Sequence, residues 1–421
     1  MRRMATPILT GLMGALLATT AQAEDLRMSW WGGDARHAQT QAALDYCGPK
    51  LGHTVAAEFT GWSGHQERIT TQIAGRTEAD IMQINWPWLP LFSADGSGFV
   101  DLRDHADVLD LSQFTEAQLA GGEMNGVLNG IPVSTTGRVY MFNKTTFDKA
   151  GLAVPTTWDE VIAAAPVLRD TLGEGYYPFE AAGLNAIFLV SMAVTQATGK
   201  DLIDPATNTV AWTAEELLEG IKFYQSLVEA GAIRDWKQVA GEGNIELFEM
   251  RPWADGRIAG TYEWDSAYAK YADPLGAEQE LVPVKMLQID GAVTEATYAK
   301  PSMLFSISRN SAAPKAAAEV INCLLNDPEA IEILSDSRGV PASKVAFNRL
   351  SEKDLINPNV AAANGIVLEG TGPVVSSFNE HPRVRDAFAD YLENIAYGQI
   401  SAEDAAEGII DDINRGLRQF Q

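Results

Sequence analysis

Leu26-Arg27-Met28-Ser29-Trp30-Trp31, closed by Gly32-Gly33, is the stretch on which the fold turns. Its apolar and β-favouring side chains ending in a glycine pair read as a strand, and the pattern repeats downstream. A helical stretch follows with Ala43, Leu44 and Cys47 on one face and a stop expected at Gly48-Pro49. A second strand is expected over residues 54–59, a helix from about His65 to Ala74, and a third strand over residues 80–84. Strand, helix, strand, helix, strand describes a parallel sheet with crossover helices, and such sheets place ligand sites at the carboxyl ends of their strands. The residues found there are Trp30, Trp31 and Gly33, then Thr60, Gly61 and Trp62, then Asn85, Trp86 and Trp88.

Upstream of this strand, Arg2-Arg3, an apolar run from Ile8 to Ala18 and Ala21-Gln22-Ala23 read as a secretory signal peptide over residues 1–23 with an A-x-A cleavage site. The rest of a twin-arginine signature is missing, so general secretion is expected. No cysteine stands at the cleavage site, which points to a free protein in a periplasm rather than a lipid-anchored one. Cleavage leaves 398 of the 421 residues, enough for two lobes. Loss of Arg2 and Arg3 takes the formal charge from -25 to about -27, which repels nucleic acid and anionic lipid. The two cysteines, Cys47 and Cys323, are too few for a zinc site. A single disulfide between them and buried free thiols are both compatible with an oxidising compartment. The five histidines show no ligand spacing, so neither metal nor other cofactor is expected.

A second unit begins near Val133-Ser134. Within it Thr157-Trp158-Asp159-Glu160 and Thr213-Ala214-Glu215-Glu216 match the capping box. The second box opens an amphipathic helix with Leu217, Ile221, Tyr224 and Val228 on one face. Later, Pro314 marks the start of a helix reaching about Asn326, and Ser401 caps one over residues 405–417. No low-complexity linker separates the units, so the lobes are expected to be joined by strands.

The quoted strand, the Ala79-Asp80-Ile81-Met82 strand, Leu128-Asn129-Gly130-Ile131-Pro132-Val133 leading to Met141-Phe142-Asn143-Lys144, and Pro155-Thr156-Thr157-Trp158 together resemble the extracellular solute-binding proteins of family 1. The resemblance is strongest to the oligogalacturonide-binding proteins of pectin-using bacteria. It is carried by Trp30-Trp31-Gly32-Gly33, Gly61-Trp62 with His65, Gln83-Ile84-Asn85-Trp86, Gly137-Arg138-Val139, Gly260-Thr261-Tyr262-Glu263-Trp264, Lys300-Pro301 and Arg338-Gly339-Val340-Pro341. Residues 176–196 and 376–381 depart from that subgroup, and Asp265 is an acid where a neutral amide is expected. The resemblance implies an α/β, two-lobed periplasmic-binding-protein fold (type II, maltose-binding-protein-like) with the ligand cleft between lobes. The expected first lobe comprises residues 24–133 plus about 285–330, and the second 134–284 plus about 331–421. The partners implied are a small carbohydrate and the membrane permease of an ABC importer, with a monomeric chain and no enzymatic activity.

Sugar rings offer a flat C–H face for aromatic stacking and a rim of hydroxyls for planar polar groups. Trp31, Trp62, Trp86 and Trp264 are the aromatic candidates; since strand residues alternate, at most one of Trp30 and Trp31 is expected to face the cleft. A uronate carboxylate calls for charge-assisted donors, for which Arg36, Arg138, Lys300 and Arg338 are the candidates. The alternative for each is an ordinary surface or ion-pair role. Gly33, His65, Gln83, Asn85 and Ser134 complete the expected ligand-binding set. Two rivals stand beside this reading: the same fold with a neutral oligosaccharide, polyol or glycerol phosphate, and a secreted hydrolase or lyase. No G-x-S-x-G elbow or H-E-x-x-H marks the latter.

Overall fold

The computed structural model describes residues 23–243 and 245–420. The expected signal peptide, apart from Ala23, lies outside the described residues. The opening stretch is β1 (Asp25–Trp31), followed by α1 (Asp34–Leu51), β2 (Thr54–Thr60), α2 (His65–Gly75) and β3 (Ile81–Asn85). Both β2 and β3 run parallel to β1. The first helix does not stop at Gly48-Pro49. Pro49 falls inside its last turn, and the chain leaves through Gly52, whose φ of 81° suits glycine.

The chain crosses from β4 (Ile131–Pro132), still in the first sheet, to β5 (Thr135–Asn143), the centre of the second. There α3 (Trp158–Leu172), α4 (Leu184–Thr198) and α5 (Ala214–Glu229) build the second lobe's core around Phe142, Phe188, Leu189 and Tyr224. The box at Thr213 forms reciprocally with Glu216. At Thr157 only the hydroxyl half forms, because the Glu160 carboxylate turns to the amide and hydroxyl of Thr156. The strands β6 (Gly260–Trp264) and β7 (Leu281–Val284) flank β5 antiparallel, with the short α6 (Tyr268–Ala272) between them in sequence. The chain then passes through β8 (Ala299–Pro301), on β5, into β9 (Met303–Ile307), which pairs antiparallel with β3 and β4.

Helix α7 (Pro314–Asn326) packs on α1, and the two are joined by a Cys47–Cys323 disulfide with an S–S distance of 2.04 Å. The alternatives left open by the sequence thus resolve to the bonded form, which ties together two chain segments of the first lobe. Next, α8 (Pro328–Leu334) packs against α1 and α9 (Lys344–Glu352) against α7 and α8, so residues 328–352 lie with the first lobe. This differs from the expected boundary near 330. Similarly, Met286, Leu287 and Ala296 belong to the second lobe's core rather than the first's. Their segment is held by Gln196, whose side chain donates to the carbonyls of Leu287 and Glu295. The chain ends in the second lobe with α10 (Pro358–Glu369), α11 (Pro382–Ala396) and α12 (Ala402–Gly416).

The crossings are bonded to each other, which makes a strand hinge. Val133 N–H donates to the Met303 carbonyl (3.0 Å), Ser302 N–H to the Ser134 carbonyl (2.8 Å), and Ala342 N–H to the Val133 carbonyl (2.8 Å).

Candidate functional site

Alternation along β1 sends its two tryptophans to opposite faces. Trp30 is fully buried on the outer side, with its indole N–H on His37 Nδ1 (3.1 Å) and its ring tilted on Phe59. Trp31 turns the other way and meets Trp62, His65 and Trp88 at ring-centroid separations of 5.4, 5.4 and 5.2 Å. Trp62 stacks on Trp88, with 5.4 Å between centroids, and stays partly exposed, so it is the accessible member of this aromatic floor. His65 is buried; its Nδ1 meets Thr60 Oγ1 at 2.7 Å and its Nε2 has no partner. Burial holds its pKa down at about 4, so the ring is neutral. Trp86, partly buried, sits in the turn after β3 that packs close to the 377–380 turn of the second lobe.

Beneath the floor, Gln83 donates to the Trp31 carbonyl (3.2 Å) and accepts from Arg338 Nε (2.9 Å). Arg338 Nη2 donates to Thr40 Oγ1 at 2.8 Å, while its Nη1 is buried without a partner. Arg36 folds back over Gly32, where an added Cβ would come within 2.6 Å of its side chain. It donates through Nε to the Ser337 carbonyl (2.9 Å) and through Nη1 to that of Trp31 (3.4 Å). Gly33 is exposed as the N-cap of α1. Ser134 is fully buried in the hinge; its hydroxyl meets Ser302 Oγ at 2.5 Å and the Arg338 carbonyl at 2.8 Å, so its observed contacts are those of the hinge.

The second lobe faces this floor with Trp264 at the end of β6, paired in register with Arg138 on β5. The Arg138 guanidinium is fully buried among the rings of Phe188, Tyr262 and Trp264, at 4.3, 4.7 and 5.0 Å from their centroids. One nitrogen, Nη2, donates to Asn185 Oδ1 (2.5 Å) and to the Tyr262 carbonyl; Nε and Nη1 have no partner. Among the described residues no carboxylate pairs with it. Lys300 lies 4.3 Å from the Trp264 ring centroid, pairs with Glu380 and reaches Asn85 Oδ1 across the cleft at 3.4 Å. A second interlobe contact joins Arg385 Nη2 to Gln66 Oε1 at 3.3 Å.

The family pattern of bacterial extracellular solute-binding proteins matches residues 38–331. The chain belongs to that family. This solute-binding protein is similar to a periplasmic oligogalacturonide-binding protein of Yersinia enterocolitica solved in complex with saturated digalacturonic acid. The two are 37% identical over 94% of this chain and 99% of that one, with a TM-score of 0.90. It is also similar to a periplasmic solute-binding protein of Pectobacterium atrosepticum, at 36% identity over 94% and 99% of the chains and a TM-score of 0.88. A putative binding protein of Brucella abortus is 26% identical over 276 residues, 61% of this chain and 65% of that protein's length.

Several residues of the solute-binding protein's cleft escaped the sequence reading. Asn185 and Phe188 lie in the 176–196 stretch that departs from the resemblance, and Glu380 in the departing 376–381 stretch. Arg385 sits on a helix that carried no motif. Trp88 was visible as a tryptophan after the third strand, and its place in the floor follows from the turn it shares with Trp86. Asp265, unexpected as an acid, is buried where four donors converge. These are the Thr136 hydroxyl, the Gly137 and Ser266 amides at 3.1 and 2.7 Å, and Asn364 Nδ2 at 2.8 Å. An amide there would present its own NH2 to donors.

Proposed function

We propose that this protein captures a short acidic oligosaccharide, an oligogalacturonide, in the cleft between its lobes and delivers it to the permease of an ABC importer from the periplasm. The observation that carries this reading is Arg138. A buried guanidinium with two unpaired donors and no carboxylate partner is a standing cost in the empty protein. A ligand carboxylate accepting from one of them, with a second ligand oxygen on the other, turns that cost into charge-assisted hydrogen bonds. A neutral sugar or polyol offers hydroxyl oxygens to those donors but no charge to the guanidinium. The aromatic faces of Trp62 and Trp264, one from each lobe, suit a sugar ring held between them. Lys300 acts less as a free donor than as half of an ion pair with Glu380, keeping Trp264 and Asn85 in place.

Delivery requires that ligand favour the closed lobes over the open ones, a population shift about the 133–134, 302 and 342 crossings. Thermal unfolding of the mature protein against saturated and unsaturated oligogalacturonides and neutral oligosaccharides tests the ligand class, because a ligand of the folded state raises the melting temperature by mass action. A rise with acidic sugars alone is expected. A rise with neutral sugars alone refutes the acidic reading, and appearance of shorter products refutes the binding-protein role.

A further inference from the structure

Glu24 is the residue that cleavage after Ala23 leaves at the head of the chain, and the first lobe holds it by its backbone. Its carbonyl accepts from Thr54 N–H at 2.9 Å, one step ahead of the Asp25–Thr54 pair that opens the β1–β2 register. That anchor aims the Glu24 nitrogen at the residue before Thr54, His53, and it donates to Nδ1 at 3.3 Å. The imidazole is buried, and its other nitrogen, Nε2, meets Glu319 Oε2 at 3.0 Å. Because Nδ1 accepts, Nε2 carries the ring proton and donates it to the carboxylate. Ala23, on the other side of the bond to be cut, is exposed. On the strand, Glu24 and Asp25 contribute further carboxylates. On α7, Lys315 lies one turn before Glu319 and is taken by Asp107 at 2.6 Å. A backbone amide is only a neutral donor for this ring, whereas an imidazole backed by a carboxylate is suited to a cation.

We propose that His53 and Glu319 form a seat for the α-ammonium of Glu24, so that removal of residues 1–23 is registered in the fold of the first lobe. A signal peptidase adds water across the Ala23–Glu24 bond; the leader departs with the Ala23 carboxylate, and Glu24 keeps its nitrogen as NH3+. One N–H of that group makes the bond to His53 Nδ1 that the amide made. The imidazole now has a positive charge at one end and Glu319 at the other, and a charge-assisted hydrogen bond is about twice as strong as a neutral one. His53 follows α1, which carries Cys47, and Glu319 lies one turn before Cys323 on α7. Processing therefore ties the start of β1 to the two helices that the disulfide joins. The inference rests on the export reading, in which residues 1–23 are removed, and is independent of which sugar the cleft takes.

The test uses protein exported to the periplasm of a Gram-negative host as wild type, E319Q and H53L. Mass spectrometry reads the first residue and follows acetylation of the α-amine at pH 7.5, with a free peptide of residues 24–29 as reference. An ordinary α-amine, titrating at about 7.7–8.0, is about one-third free base at that pH, and a seat that favours the ammonium lowers that share. The wild type is expected to begin at Glu24 and to react about tenfold more slowly than the peptide, and both variants to react within about threefold of it. E319Q changes only the far end of the relay, which separates the seat from simple shielding of the amine and serves where H53L fails to fold. E319Q reacting as slowly as wild type would overturn the relay, and wild type reacting as fast as the peptide would overturn the seat; both leave the export reading intact. A first residue other than Glu24 would overturn the seat together with the cleavage site.

Discussion

Replacing Arg138 with methionine separates binding from stability. The unbranched thioether fills the space between Phe188, Tyr262 and Trp264 without a charge. On the binding side, two charge-assisted hydrogen bonds are lost, at about 1.5–3 kcal/mol each. The sum of about 3–6 kcal/mol weakens digalacturonate binding by a factor of roughly 10²–10⁴. On the stability side, the substitution removes a fully buried guanidinium with no carboxylate partner, relieving a desolvation cost of several kcal/mol. Against this stand the cation–π contacts, about 2 kcal/mol when desolvated, and the unpaired Asn185 and Tyr262 acceptors, about 1–3 kcal/mol each. These nearly cancel. Because a chain of this size shifts only about 1 °C in Tm per kcal/mol, the unliganded variant should melt within about 3 °C of wild type. Calorimetry provides both readouts, by titration and by scanning. A Kd within threefold of wild type refutes the binding role. A fall in unliganded Tm of about 6 °C or more shows that Arg138 is a stabilising structural cation and refutes the energetic argument.

Three further outcomes follow from the fold and the buried charges. Serine at both Cys47 and Cys323 opens a constraint spanning 276 residues, which chain entropy values at about 5.6 kcal/mol. Denaturant unfolding of the double variant should show that loss with sugar affinity retained, and an unchanged midpoint would contradict it. Asp265→Asn keeps an oxygen for the Thr136, Gly137 and Ser266 donors but turns its NH2 toward that of Asn364 and should cost about 2 kcal/mol, read in the same assay; a neutral result would refute the convergence argument. His65 and His381 are both held down at about 4 by burial. The unfolded chain therefore binds more protons between pH 6.5 and 4, and their contribution is complete above pH 6.5 and lost as pH falls through that window. Asp201, raised by burial to about 6, slopes the other way, gaining as pH falls. The comparison that isolates the histidine is wild type against His65→Gln, whose stability should fall less between pH 6.5 and 4; parallel profiles would refute it.

The first lobe's strands and the second lobe's helix caps were largely legible because their code is local. The strand at residues 26–31, the alternation that separates Trp30 from Trp31, and the caps at Thr213 and Ser401 are all properties of short windows. Pro49 misled because proline tolerates the last helical turn when the following residues can still close it, here at Gly52. The return crossing was misplaced because α8 owes its lobe to contacts with α1, hundreds of residues away in sequence, and α9 follows through its contacts with α7 and α8. In the cleft, tryptophans and arginines stood out by type and position. What sequence spacing does not carry is pairing. Nothing near Lys300 announces Glu380, and nothing near Arg138 announces the Phe188 and Asn185 that cage it.

The measurement that bears most directly on the central claim is a calorimetric titration of the mature protein with digalacturonate and, in parallel, with the same dimer after reduction of its carboxylates. The two ligands share ring, linkage and ring-hydroxyl pattern and differ only at C6, where a carboxylate becomes an uncharged CH2OH. Saturable binding of the acidic dimer with at least a hundredfold weaker binding of the reduced one is the predicted result. Equal affinity for the two would show that the buried guanidinium does not read the ligand, and would contradict the account.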